Sequence, residues 1–445
     1  MAMGAARTGS ETLQVQMVCL DDLVSADDRY RRVERVISWR AMRMSAAPFY
    51  ALDGRPSVDP AVLLKLFLVA AIEGRSSMRE TLRLAERDLG VRRFLGYGLT
   101  ERLPSHATVS YAQCVRFAES SVFEQLFVQV LGRCRQAGLL DGTRLVVDAT
   151  HVEANAALKS LRADLVAVDQ AAADDERDDD PPRPSSGPLT LVVARARGGR
   201  TPKRRATNQM TVSTTDPDAK LRHKPGQRPH LQHRVQVATD PKRRVIVAVR
   251  AEHAVGSEAA ALPELIRRAR FAGHAAWEVC ADQGYASDAT YATLERLGVV
   301  AFIPPQRTML QHGVRAQAAH ARLRTPAGVS AKIDRMTHGE GVISEVKGCH
   351  GLARARGRGT SRMHIQALLA ATAVNLKRLL THDNAHAGPA AASGEANAIT
   401  PPAPHRVAKT PTHQLIRSLY HTILTTNRHR LLIPTTPAGA SLTAS

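Results

Sequence analysis

Apolar positions recur at helical spacing through the first 140 residues. Asp59-Pro60 places an N-cap residue before a first-turn proline. The run 60–73 then carries Val62, Leu63, Leu66, Phe67 and Val69 around most of its circumference, the pattern of a buried helix that Gly74 ends. A second helix is predicted over 77–88, with Met78, Leu82 and Ala85 on one face. Pro104-Ser105-His106-Ala107-Thr108 reads as a cap before a helix through Val109 and Val115, and a further helix is predicted over 123–136. There is no long-period internal repeat.

At Thr143 the pattern changes. Arg144-Leu145-Val146-Val147-Asp148 is a short apolar strand ending in an acid. An acidic run at 174–180 and the proline-rich stretch 181–187 then read as a loop or disordered insertion, closed by Lys203-Arg204-Arg205. Strands are predicted at 233–239 and 244–249, separated by an Asp240-Pro241 turn, then a helix over 257–271. A strand at 277–281 delivers Asp282, followed by a helix over 287–297 and a strand at 299–303. A helix is expected around Glu340 and a long apolar one over 363–380. Residues 383–445 read as a poorly ordered tail, with one possible helix at 415–424.

Composition adds a partner class. The chain has 445 residues, room for two or three domains, and its 44% apolar content is that of a globular protein. A net charge of +20 and a pI near 10.5 point to a polyanion, nucleic acid before an anionic membrane. The excess is uneven: residues 1–140 carry only +4, whereas 181–250 carry +13 and 301–380 carry +10. No apolar run reaches the roughly 18–20 residues needed to span a bilayer. The N-terminus lacks a signal-peptide apolar core, and five scattered cysteines fit neither a disulfide framework nor a C-x-x-C zinc site, so a cytoplasmic setting is expected.

Asp148 and Asp282 both end apolar strands, where sites gather in open α/β sheets, and a hard divalent cation takes carboxylate ligands. Spacing alone leaves open the alternative that both are turn formers. The flanking residues narrow the choice. Asp148 stands in Val147-Asp148-Ala149-Thr150-His151-Val152-Glu153-Ala154-Asn155, Asp282 in Ala281-Asp282-Gln283-Gly284-Tyr285, and Glu340 in Gly339-Glu340-Gly341-Val342-Ile343-Ser344-Glu345-Val346-Lys347. This set resembles the catalytic domain of DDE transposases from bacterial insertion sequences. Ser213-Thr214-Thr215-Asp216-Pro217-Asp218-Ala219-Lys220 resembles another stretch of that group. Upstream, Gly54-Arg55-Pro56-Ser57-Val58-Asp59-Pro60 and Pro104-Ser105-His106-Ala107-Thr108-Val109-Ser110 resemble its helical N-terminal domain, so the likeness spans roughly residues 30–380.

The resemblance implies an α+β or α/β chain: a helical N-terminal DNA-binding domain (1–137), an RNase H-like mixed sheet flanked by helices (138–382) with a low-complexity insertion near 160–212, and the tail 383–445. Asp148, Asp282 and Glu340 take the places of the catalytic metal ligands, with Mg²⁺ as cofactor and Mn²⁺ as its substitute. The implied reaction is strand cleavage at the element's ends, followed by attack of the freed 3′-hydroxyl on target DNA. The partners implied are double-stranded DNA, as terminal inverted repeats and target, and a second copy on paired ends, in the cytoplasm on the nucleoid. The alternative is a catalytically inactive, transposase-derived DNA-binding protein.

In the family the glutamate follows a Tyr and an Arg and precedes a Lys by about two turns. Lys347 stands seven residues after Glu340 and fits that place. Arg335 takes the arginine place one residue off, and the tyrosine place is not matched, Lys332 being nearest. Glu345 is the competing third acid. Arg354, Arg356 and Arg358 are expected to contact phosphates together with Lys347 and Arg335. The segment 108–117 is either a recognition helix or an ordinary bundle helix.

Overall fold

The structure is a computed structural model that describes residues 17–51, 53–54, 56–163, 211–222, 226, 228–311 and 313–386. The acidic run 174–180, the basic run 203–205 and the expected helix at 415–424 lie outside those residues.

After a one-turn helix at Leu20–Leu23, seven longer helices come first among the described residues: α1 (Arg29–Val36), α2 (Trp39–Ala46), α3 (Pro60–Ile72), α4 (Met78–Arg87), α5 (Leu89–Leu95), α6 (His106–Tyr111) and α7 (Val122–Gln136). Their starts follow the sequence. Asp28, Ser38, Asp59, Ser77, Asp88 and Ser105 each accept a first-turn N–H through the side chain. α3 is buried on nearly every side, and even Lys65 is enclosed. Its ammonium donates to Glu34 (2.9 Å) and to the Phe94 carbonyl (2.6 Å) and lies over the rings of Trp39 and Phe94. α6 continues as a π-helical turn at Ala112–Arg116. Val109, Ala112 and Phe117 enter the core there, while Tyr111 and Val115 face out.

A mixed six-stranded sheet follows. Its central strand β1 (Arg144–Glu153) pairs antiparallel with β5 (His230–Asp240) and parallel with β7 (Glu278–Cys280), which pairs parallel with β8 (Val300–Phe302). β4 (Lys220–Arg222) and β6 (Val245–His253) share the far edge of β5, both antiparallel. β2 (Leu161–Ala163) and β3 (Thr211–Ser213) form a separate two-stranded ladder. β1 and β5 run longer than their apolar cores because Thr150, His151 and Glu153 keep pairing with Val235, Arg234 and Gln232.

The remaining helices are α8 (Leu262–Phe271), α9 (Asp288–Arg296), α10 (Val314–Leu323), α11 (Pro326–Asp334), α12 (Glu340–Cys349) and α13 (Thr360–His386), with a π-helical turn at Arg335–Gly339 leading into α12. α13 packs on β6, α7 and α3. Its Asn375 amide mimics a strand partner, accepting from Ile246 N and donating to Ile246 O, both at 2.8 Å. One apolar core therefore runs from Tyr30 through Leu145 and Val247 to Leu379.

Two buried Asp–His pairs fix connections. Asp240, at the end of β5, accepts from the N–H groups of Asp141 and Gly142 (both 2.9 Å) and from His274 Nε2 (3.1 Å). Asp216 pairs with His233 Nε2 (2.9 Å) and accepts from Gly359 N, while Asp218 accepts from Thr360 N (2.8 Å). The Ser213–Lys220 motif thus caps the start of α13.

Candidate active site

Register places the first two acids near each other. Val146 on β1 pairs with Cys280 on β7. Asp148 stands two residues further along β1, inside the strand and not at its end as expected, because β1 runs on to Glu153, and Asp282 stands two residues beyond Cys280, just after β7. Asp148 is half-buried, and its Oδ1 accepts from Ala149 N at 2.8 Å. Asp282 caps the turn Gln283–Tyr285, with Oδ1 accepting from Gly284 N at 2.9 Å.

Burial pushes the Asp148 carboxyl up to about 6, and the negative charges of Asp282 and Glu258 add to it, while the Ala149 N–H and the charge of Arg335 oppose. Glu258 stands out only in three dimensions. A Cβ on Gly284 would lie 2.9 Å from its Oε2 and 3.0 Å from Asp282 Oδ1, so both carboxylates crowd one backbone position. Burial and Asp282 raise the Glu258 carboxyl despite the nearby Arg234 guanidinium. In the sequence, Glu258 is only an acid in the first turn of a helix, and nothing local marks its approach to Asp282.

The third motif starts beside Asp148. A Cβ on Gly339 would stand 3.1 Å from Val146 Cγ1 and 3.8 Å from Asp148 Oδ2, so glycine lets the backbone pass this close. Glu340, the next residue, is exposed at the first position of α12 and has no hydrogen bond or ion pair to the described residues. Glu345 points elsewhere. It binds Lys377 (2.8 Å) and Arg378 on α13, and these cations hold its carboxyl below the usual range although burial works against them.

The expected phosphate contacts separate. Lys347 lies on α12 and donates to His151 O (2.9 Å). Arg335 is half-buried within electrostatic reach of Asp148. Arg354 is exposed, 4.0 Å from Glu153, where the chain bridges to the end of β1. Arg358 is exposed. Arg356 turns inward instead. Its Nη2 donates to Ala70 O at the end of α3 (3.4 Å), its Nε has no partner, and desolvation lowers its pKa to about 10.

Two family models match the chain: a transposase domain (DUF772) over residues 18–113 and a transposase DDE domain over residues 305–380. The chain therefore carries two transposase domains, the second of the DDE type. No curated protein and no solved structure matches this transposase. The second model contains Glu340 and Lys347, while Asp148 and Asp282 lie between the two matched segments. No helix of the transposase is long and apolar enough to cross a membrane, among the described residues.

Among the described residues, no three His, Cys, Asp or Glu side chains close on one metal-binding point. Asp148 and Asp282 nonetheless suit a hard divalent cation. They are anionic oxygen donors, one on β1 and one just past β7, and their mutual repulsion is what such a charge relieves.

Proposed function

We propose that this transposase cleaves and joins DNA strands at the ends of its element, using Asp148, Asp282 and Glu340 around divalent cations, Mg²⁺ with Mn²⁺ as substitute. The nearness of Asp148 and Asp282, each two residues past the paired Val146 and Cys280 and within electrostatic reach of one another, carries the reading. The strand order β6-β5-β1-β7-β8, antiparallel on one side of β1 and parallel on the other, supports an RNase H-like sheet.

The cations would supply charge to activate the attacking oxygen and stabilise the leaving one. The chain's own residues set the geometry. The Ala149 and Gly284 N–H groups fix the two aspartates, and the exposed Glu340 side chain is free to swing toward them from α12. Lys347 sits two turns along the same helix, on the side of β1. The same in-line displacement serves first for cleavage by water and then for joining by the freed 3′-hydroxyl. The substrates in this reading are terminal inverted repeats and target DNA, held by a dimer on paired ends in the cytoplasm on the nucleoid.

The deciding experiment uses purified protein, Mg²⁺ and labelled element-end DNA. The wild type should nick and join the ends. Asp148→Ala and Asp282→Ala should each lose more than the roughly 100-fold typical of an outer-shell partner while still binding DNA. Full activity in either variant rejects the assignment. DNA binding by the wild type without Mg²⁺-dependent cutting leaves an inactive DNA-binding protein.

A further inference from the structure

A cleft of about 250 Å³ opens beside β1 just past Asp148, and the reading above leaves it unused. Its chemistry is one-sided: His151, Arg222, Arg228, His230, Gln232 and Lys347 line it, and no carboxylate does among the described residues. The sheet assembles this set. Arg222 on β4 and His230 on β5 are directly opposite cross-strand partners, and Gln232 is two residues further along β5. Arg222 gives one N–H to Ala254 O at 3.2 Å, and Arg228 is exposed with no hydrogen bond or ion pair to the described residues. These positions fall in the segment that carries +13 between residues 181 and 250.

We propose that this cleft binds a backbone phosphodiester of the element-end DNA, held by Arg222, Arg228 and His230 at a fixed distance from the scissile position. Guanidinium groups present forked donors that match phosphate oxygens. The volume accommodates a phosphate group and falls short of the roughly 300 Å³ at which pockets for larger ligands begin. The distance follows from the strand. Asp148 pairs with Val237 on β5, and His230 stands seven residues further along β5, about 23 Å at strand rise, so a phosphodiester held there is several linkages from the one at the acids. The cleft would therefore set which phosphodiester reaches the acids. The proposal rests on the DNA-cleaving reading for its ligand, and its test keeps the two apart.

The test is a methylphosphonate scan. Full-length protein is titrated by fluorescence anisotropy, without divalent cations, against element-end duplexes that each carry one neutral methylphosphonate. One linkage several nucleotides from the element's terminal phosphodiester should weaken wild-type binding about tenfold. Arg228→Gln, at an exposed position, should bind the unmodified duplex about tenfold more weakly and lose its sensitivity at that linkage alone. Its salt slope should fall by about one. Arg222→Gln/Arg228→Gln should behave likewise, with an unchanged melting temperature as the folding control. Full sensitivity retained in Arg228→Gln, no sensitive linkage in the wild type, or no binding by the wild type overturns the proposal. Cutting of the same unmodified duplex in Mg²⁺ is scored separately. Its absence alongside an intact methylphosphonate effect rejects the catalytic reading and leaves the cleft standing.

Discussion

The two third-motif acids of this transposase sit in opposite surroundings. Glu340 is exposed without a partner among the described residues, so Glu340→Gln should abolish strand cleavage with no change in melting temperature. Glu345 ties α12 to α13 through Lys377 and Arg378. Both cations can reach water, so Glu345→Gln should cost about 1 kcal/mol and leave cleavage nearly intact, as paired melting and nicking assays would show. Asp240 gives a pH-dependent case. Burial raises its carboxyl, but His274 and three backbone N–H groups outweigh that, and the net shift is downward. A carboxyl depressed in the folded state stabilises above its unfolded value near 3.9, and that stability is lost as pH falls through the folded value. Asp240→Asn should therefore lower stability at neutral pH by about 3 kcal/mol and flatten the melting temperature against pH below about 4.

At the scale of elements, the end of α3 and the turn after α12 form one joint. Ala70 and Ala71 carbonyls accept from Arg356 and His350, cationic or polar donors suited to a helix C-terminus. Gly74 closes α3 at φ +60°, with its Cα against the Cys349 carbonyl, where no side chain fits. Gly74→Ala should cost at least about 2 kcal/mol and drop the melting temperature by several degrees in calorimetry. The helices were legible in the sequence because their caps and apolar periods are local: Asp59-Pro60 and Ser77 start helices where expected. The apolar runs before Asp148 and Asp282 were legible for the same reason, but the end of β1 was not, since the strand runs on past Asp148 to Glu153. Arg356 was not. In Arg354-Ala355-Arg356-Gly357-Arg358 the three arginines look alike, and only the bridge from Arg354 to Glu153 decides which side chain turns toward α3. Glu258 escaped because its approach to Asp282 depends on a fold-wide return of the chain, and the cleft because it needs β4, β5, β1 and α12 at once.

At the scale of the molecule, the apolar core does not pause between the early helices and the sheet. α13 is buried along most of its length and rests on α3, α7 and β6 together. Residues 1–137 expressed alone should therefore leave the faces of α3 and α7 uncovered. Near-UV circular dichroism should be flat and dye binding high, whereas a cooperative melt of that fragment would show independent folding. The dependence on α13 reaches beyond the test tube. In the proposed reading, a gene copy broken by a stop codon before position 360 would encode neither a working enzyme nor a stable remnant able to occupy the ends of intact elements. Decaying copies in a genome would then be silent bystanders instead of competitors, and any restraint on the active copies must come from another source.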